Sequence, residues 1–312
     1  MGSSAVTDQV KKAHDAALVV DETASLGVLV VRGADRRTWL NGLVTCDVTK
    51  LTPEAALYGL AVTPKGRVLT DLVFIERPDE VLLLLPAAEV EVVARSFDHY
   101  LVMEDVTLEA PPNAMHVLAV HGPASPAVLT AAAGAGAATA ELDWYGLGGG
   151  VVVADDGAIE AVRSAMTRTL AERDGGWGDA AGREALRLTR GVPRFGVDFG
   201  PATYPQEAGL EKRAISFDKG CYLGQEVVCM LQLRGHVKRR LVSLRFDEGA
   251  AEPGAPIATL DGQSVGELTS VVAPPAGGEP HALGMVKIAF AAPGTALRVG
   301  EARAFVVETA TA

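Results

Sequence analysis

Lys219-Gly220-Cys221-Tyr222-Leu223-Gly224-Gln225-Glu226 (KGCYLGQE) is the stretch on which the reading of the fold turns. It lies within Arg187 to Gly235, where polar, charged and glycine residues crowd together with weak periodicity. That texture marks regions whose backbone geometry and side-chain chemistry are specified together. Arg194 to Ser216, with Gly196, Gly200, Pro201, Pro205 and Gly209, is too long for an idle connection in a compact domain. A thiol two residues from an ammonium, between glycines that let a ligand approach, has two readings. It is a low-pKa nucleophile or soft ligand, or it is a packed cysteine in a structural turn. The residues alone leave both open.

On either side of this stretch the texture differs. Upstream, Gly27 to Arg32 reads as a strand, and Arg36 to Gly42 as a helix with Asp35 near its cap. Tyr58 to Thr63 and Val68 to Ile75 form a hairpin around Pro64-Lys65-Gly66-Arg67. Val81 to Leu85 predicts a strand, Ala87 to Leu101 an amphipathic helix and Val106 to Glu109 a strand. Met115 to His121 reads as a strand and Pro123 to Ala133 as a helix opened by proline. Ala131 to Ala140 is a low-complexity connector. Trp144 to Asp155 reads as a strand, and Ile159 to Arg173 and Ala180 to Arg190 as helices, the second stopped by Gly191 and Pro193. Downstream of Arg239 come only short β runs, Leu241 to Phe246, Val265 to Val272, Leu283 to Ile288 and Ala304 to Glu308. The class is therefore α+β, with a small antiparallel barrel or sandwich from about 237 to 312.

The chain has 312 residues, 48% hydrophobic and 21% charged, which fits two domains and excludes disorder, collagen-like fibres and disulfide mini-scaffolds. The apolar run Val81 to Leu85 stops at Pro86, far short of the about 20 residues a membrane span needs. No apolar h-region follows Met1, so a cytoplasmic location is expected. The net charge of −11 argues against general binding to nucleic acid or anionic membranes. Cys46, Cys221 and Cys229 form neither an even disulfide set nor a CxxC pattern. His14, His99, His116, His121 and His281 form no HxH or HxxxH pair, and no metal site is expected.

KGCYLGQE, preceded by Arg187-x-x-x-Gly191-x-Pro193-x-x-Gly196-x-Asp198 and by Pro205-Gln206-Glu207-Ala208-Gly209-Leu210, resembles the signature of YgfZ-type folate-binding proteins. These are relatives of the glycine-cleavage T-protein, an aminomethyltransferase, and are implicated in iron–sulfur cluster assembly or repair. Weaker matches at Arg32 to Asp35, Leu40 to Gly42, Leu60 to Arg67, Arg234-Gly235, Gly262 to Ser270 and Ala282 to Gly284 extend the resemblance over nearly the whole chain. It implies a T-protein-like body, a ferredoxin-like part plus a second α+β part, with a C-terminal antiparallel β-barrel. Residues 1–236 would be the folate-binding α+β region, divisible near 112–145, and 237–312 the barrel.

The resemblance implies tetrahydrofolate, or a one-carbon derivative, in a central pocket. Glu207 matches the acidic pterin-facing position, where a carboxylate can accept both donors of the pterin edge. Asp198 is a second candidate contact or a turn cap. Arg187 and Arg234 would pair with the folate carboxylates or with internal acids. Tyr222, with Phe195 and Phe217, would stack on the pterin or join the core. Cys221 and Lys219 would form the reactive pair. An aminomethyltransferase also needs an acid in its N-terminal half, and no segment matches it; the nearest acids, Glu104 and Asp105, stand in a different context. The residue two after Arg187, acidic in the family, is Thr189. Three functions follow: a folate-binding protein serving iron–sulfur client enzymes, a folate-dependent one-carbon transferase, or a non-catalytic docking scaffold. The family's link to tRNA modification runs through iron–sulfur enzymes and requires no direct tRNA contact. The basic cluster Arg234, His236, Lys238, Arg239 and Arg240 reads first as a solvated barrel edge.

Overall fold

Runs such as Val28 to Val31 and Val81 to Leu85 are apolar at every position, which suits a strand covered on both faces. The computed structural model, which describes residues 3–111, 115–235, 237–247, 251–272 and 281–308, supplies both covers. Helix α1 (Ser3–Asp15) precedes β1 (Leu18–Asp21), β2 (Leu26–Arg32), α2 (Arg36–Asn41), β3 (Leu57–Val62) and β4 (Val68–Arg77). Then come β5 (Glu80–Pro86), α3 (Val90–Asp98), β6 (Thr107–Glu109), β7 (Met115–His121), α4 (Ser125–Gly134) and β8 (Ala138–Glu141). The body ends with β9 (Gly149–Asp155), α5 (Ile159–Glu172), β10 (Gly176–Gly178), α6 (Ala180–Thr189), α7 (Glu211–Ala214) and α8 (Gln225–Arg234).

Two five-stranded sheets result, ordered β3-β4-β5-β2-β6 and β10-β1-β7-β9-β8, with only the β1/β10 pair parallel. Successive side chains alternate between faces. Leu29 and Val31 of β2 join Trp39, Leu40, Val93 and Phe97 of α2 and α3. Val28 and Val30 instead meet Val117, Val151 and Val153 of the other sheet. On the far side, Leu118, Val120 and Val152 pack against α4 and α5 through Val128, Val162 and Met166. The body is thus helices, sheet, sheet, helices.

Strands β11 (Arg239–Phe246), β12 (Pro256–Ala258), β13 (Ser264–Val272), β14 (His281–Lys287), β15 (Ala296–Val299) and β16 (Ala302–Val307) close into a six-stranded antiparallel barrel. Because β11 pairs with both β14 and β16, its basic residues do not guard an open edge; Arg239 and Arg240 instead pair with Glu207 and Glu211. The segment between α6 and α8 stitches the parts together through backbone bonds: Val68 to Thr203, Ser216 to Thr45, Leu223 to Gly42 and Leu241 to Glu207.

Several boundaries differ from those expected. Asp35 holds the cap position of α2, yet its carboxylate accepts from the N–H of Asp105 at 2.9 Å and not from the helix. Helix α3 is shorter than Ala87 to Leu101, and β9 starts at Gly149 because Gly146 and Gly148, at φ 70° and 78°, make a turn. Part of the low-complexity connector is β8.

Candidate functional site

The apolar layer between the sheets gives way at one end to a cavity of about 300 Å³. Its strand-borne walls keep the two-residue period of that layer. Asp71 continues the face of Val73 and Ile75, Pro86 that of Leu82 and Leu84, and Ala119 and His121 that of Val117. Arg183 and Arg187 of α6, Pro193 and Phe195 beyond it, and Trp144 and Tyr145 close the cavity.

Asp71 takes a register position that the strand pattern assigns to an apolar side chain. Tyr58 donates its hydroxyl to it at 3.1 Å. Burial pushes the Asp71 carboxyl up to about 6, against the opposing pull of the Tyr58 bond. A cavity-lining carboxyl that exchanges its proton close to neutrality is suited to general acid–base work or to accepting a ligand donor. At the cavity's other side buried Glu22 accepts from Arg183 and from Ser25. His121 is 1% exposed, its ring 4.5 Å from that of Tyr145, and burial brings its imidazole down to about 3, so it is neutral.

The KGCYLGQE segment lies elsewhere, against the β3–β4 turn and the 41–46 loop. Lys219 Nζ donates to the carbonyls of Asn41, Val44 and Cys46 at 2.7, 2.8 and 2.6 Å. All three ammonium donors are engaged, and burial lowers Lys219 to about 8. Gly224, at φ 77°, packs so closely that a Cβ would stand 2.4 Å from the Thr63 carbonyl. Tyr222 is buried with Leu60, Val68, Phe199 and Leu210. Cys221 is exposed.

Both halves of this architecture match known models. The GCVT N-terminal domain matches residues 3–154, and the glycine cleavage T-protein C-terminal barrel domain matches 239–308. The tRNA-modifying protein YgfZ of Colwellia psychrerythraea is 29% identical over 72% of this chain and 70% of its own length. An aminomethyltransferase of Streptomyces coelicolor is 28% identical over 88% and 79%, respectively. The crystal structure of glycine cleavage aminomethyltransferase T from Bartonella henselae superposes with a TM-score of 0.84 at 20% identity, covering 98% of this chain and 89% of that one. The chain is a YgfZ-type protein of the glycine cleavage T-protein family.

In this T-protein fold the expected site residues separate. Asp198 does not reach a free position: Oδ1 accepts from Thr269 and Ser270 at 2.6 and 2.7 Å, and Oδ2 from Arg187 and the Arg194 N–H at 2.7 and 2.9 Å. With four donors already on its carboxylate, it ties α6 to barrel strand β13. Arg187 shares that tie, bonding Asp198, Ser270, Glu184 and the Val192 carbonyl, although its side chain also touches the cavity. Glu207 is buried but does not line this cavity; its oxygens accept from Arg239 Nε at 3.1 Å and the Tyr204 N–H at 2.9 Å. Tyr222 belongs to the core and Phe217 is exposed, which leaves Phe195 as the expected stacking residue on the cavity wall. Arg234 closes α8, and its side chain, like all of His236, lies outside the described residues.

Lys219 clamps backbone and does not pair with Cys221, so the expected reactive couple is not formed. Glu104 and Asp105 are exposed; Glu104 receives the N–H groups of Val102 and Met103. An acid of the N-terminal half that the sequence reading did not single out, Asp71, stands on the cavity wall. Its signal was an aspartate in phase with Val73 and Ile75 inside an otherwise apolar strand.

Proposed function

We propose that this YgfZ-type protein binds a reduced folate in the cavity between its sheets and acts in iron–sulfur cluster assembly or repair, with Cys221 as its functional thiol. The observation that carries the folate reading is Asp71, a carboxyl poised near 6 on the wall of an aromatic-lined cavity in a T-protein fold. A pterin is flat and presents N–H donors; Trp144, Tyr145 and Phe195 suit its faces and Asp71 suits its donors. Arg183 and Arg194, on the cavity wall, would meet carboxylates of the folate tail. Bound folate would supply nitrogens able to carry one-carbon groups, while Asp71 holds or releases a proton beside them.

Asp71 also favours a second reading, folate-dependent one-carbon transfer, since a placed general acid contributes about 10² to 10⁴ in rate. The objection that the N-terminal half lacks such an acid falls with Asp71. Iron–sulfur client enzymes remain the partners of the first reading, and neither reading calls for direct nucleic-acid contact.

Calorimetric titration of the full chain with 5-formyltetrahydrofolate tests the folate reading. Wild type binds, Asp71→Ala binds about tenfold or more weakly because a charge-assisted contact is lost, and Glu104→Ala binds as wild type. Absence of binding by wild type refutes the reading, and equal affinity in Asp71→Ala removes Asp71 from the contact.

A further inference from the structure

His121 ends β7 on the face that the strand turns towards the opposite sheet, a position whose neighbours in phase, Val117 and Ala119, are apolar. A histidine this deeply buried ordinarily has a hydrogen bond to at least one ring nitrogen. Neither Nδ1 nor Nε2 of His121 has a partner among the described residues. The aromatic rings of Trp144 and Tyr145, 6.3 and 4.5 Å away, pack against it without meeting that need. Arg183 lines the same cavity: its Nη1 reaches Glu22, but its Nε is buried with no acceptor among the described residues. Such groups destabilise the ligand-free fold, and a core built only for stability would place an aliphatic residue at position 121.

We propose that His121 is a ligand-contacting residue, hydrogen-bonding an uncharged ring carbonyl, ring N–H or amino group of a flat heterocycle held between it and Asp71 on the facing sheet. The identity of that heterocycle as a pterin rests on the folate reading; the orphaned nitrogens do not. A neutral imidazole meets such a group without burying a charge, and the tail carboxylates are left to the arginines. The prediction has an unusual sign. Removing the imidazole relieves the free protein and harms the complex, whereas a structural histidine would do the reverse.

The test pairs thermal melting of the ligand-free full chain with titration by 5-formyltetrahydrofolate, for wild type, His121→Leu and His121→Gln. His121→Leu is expected to melt about 2 °C or more higher and to bind about tenfold more weakly. His121→Gln, which keeps a donor and an acceptor, retains most of the affinity. Unchanged affinity in His121→Leu overturns the proposal whatever the melting shows. If His121→Leu melts lower and binds weakly, binding by His121→Gln decides: restored affinity supports the contact, and no restoration overturns it. If wild type binds no folate, the folate reading fails on its own; higher melting of His121→Leu then still supports an unmet contact, and lower melting overturns it.

Discussion

Asp71 and His121 face one cavity from opposite sheets and bias stability in opposite directions as pH changes. Burial raises Asp71 from 3.8 to about 6, so between those values the folded state holds a proton that the unfolded chain has released. Its contribution is full below about 4 and is lost as pH climbs through about 6. At about 1.4 kcal/mol per unit the loss is up to about 3 kcal/mol. His121 runs the other way: lowered from 6.5 to about 3, it contributes stability above 6.5 that is lost as pH falls towards 3. The two partly cancel in wild type, and the difference between wild type and Asp71→Asn isolates the aspartate. Chemical denaturation from pH 4 to pH 7 should show wild type losing stability relative to Asp71→Asn as pH rises. A difference independent of pH would mean that Asp71 is not the buried acid described above.

The KGCYLGQE segment behaves as an anchored element more than as a reactive loop. Lys219 grips three carbonyls, Leu223 donates to Gly42, Gly224 lies against Thr63 and Tyr222 fills the core, while Cys221 is turned outward. Replacing an exposed side chain away from such anchors usually changes stability by no more than about 0.5 kcal/mol. Cys221→Ala should therefore fold as wild type and yet fail to restore iron–sulfur enzyme activity in cells lacking the protein. Alkylation should reach Cys221 long before Cys46, which is buried and whose thiol burial pushes up to about 12. Full rescue by Cys221→Ala would remove the thiol from the function. The motif was legible in the sequence, but its division of labour was not: spacing places Lys219 two residues from Cys221 and says nothing of the 41–46 loop that actually receives the ammonium. Elements with periodic apolar faces, such as the β3–β4 hairpin, α5 and α6, were legible for the opposite reason, since the periodicity is the packing. Of the strands of three or four residues, β6 was read from Val106 to Glu109, while β1, β8, β10, β12 and β15 escaped because so short a run carries little pattern.

For the whole molecule, the α+β body and the barrel followed from texture, while the cavity did not, because it is made by two sheets whose pairing is long-range. Glu207 and Asp198 stood out by motif, yet one carries the Arg239 ion pair and the other fastens α6 to the barrel. Asp71 and His121 stood out only once the facing sheets put both on one layer. The central claim is that the ligand sits in that layer, and a crystal structure of the full chain with 5-formyltetrahydrofolate tests it most directly. The account predicts density for a flat ring system between Asp71 and His121, within hydrogen-bond distance of both. A folate bound instead beside Glu207 and Arg239, with the inter-sheet cavity lacking its density, would contradict it.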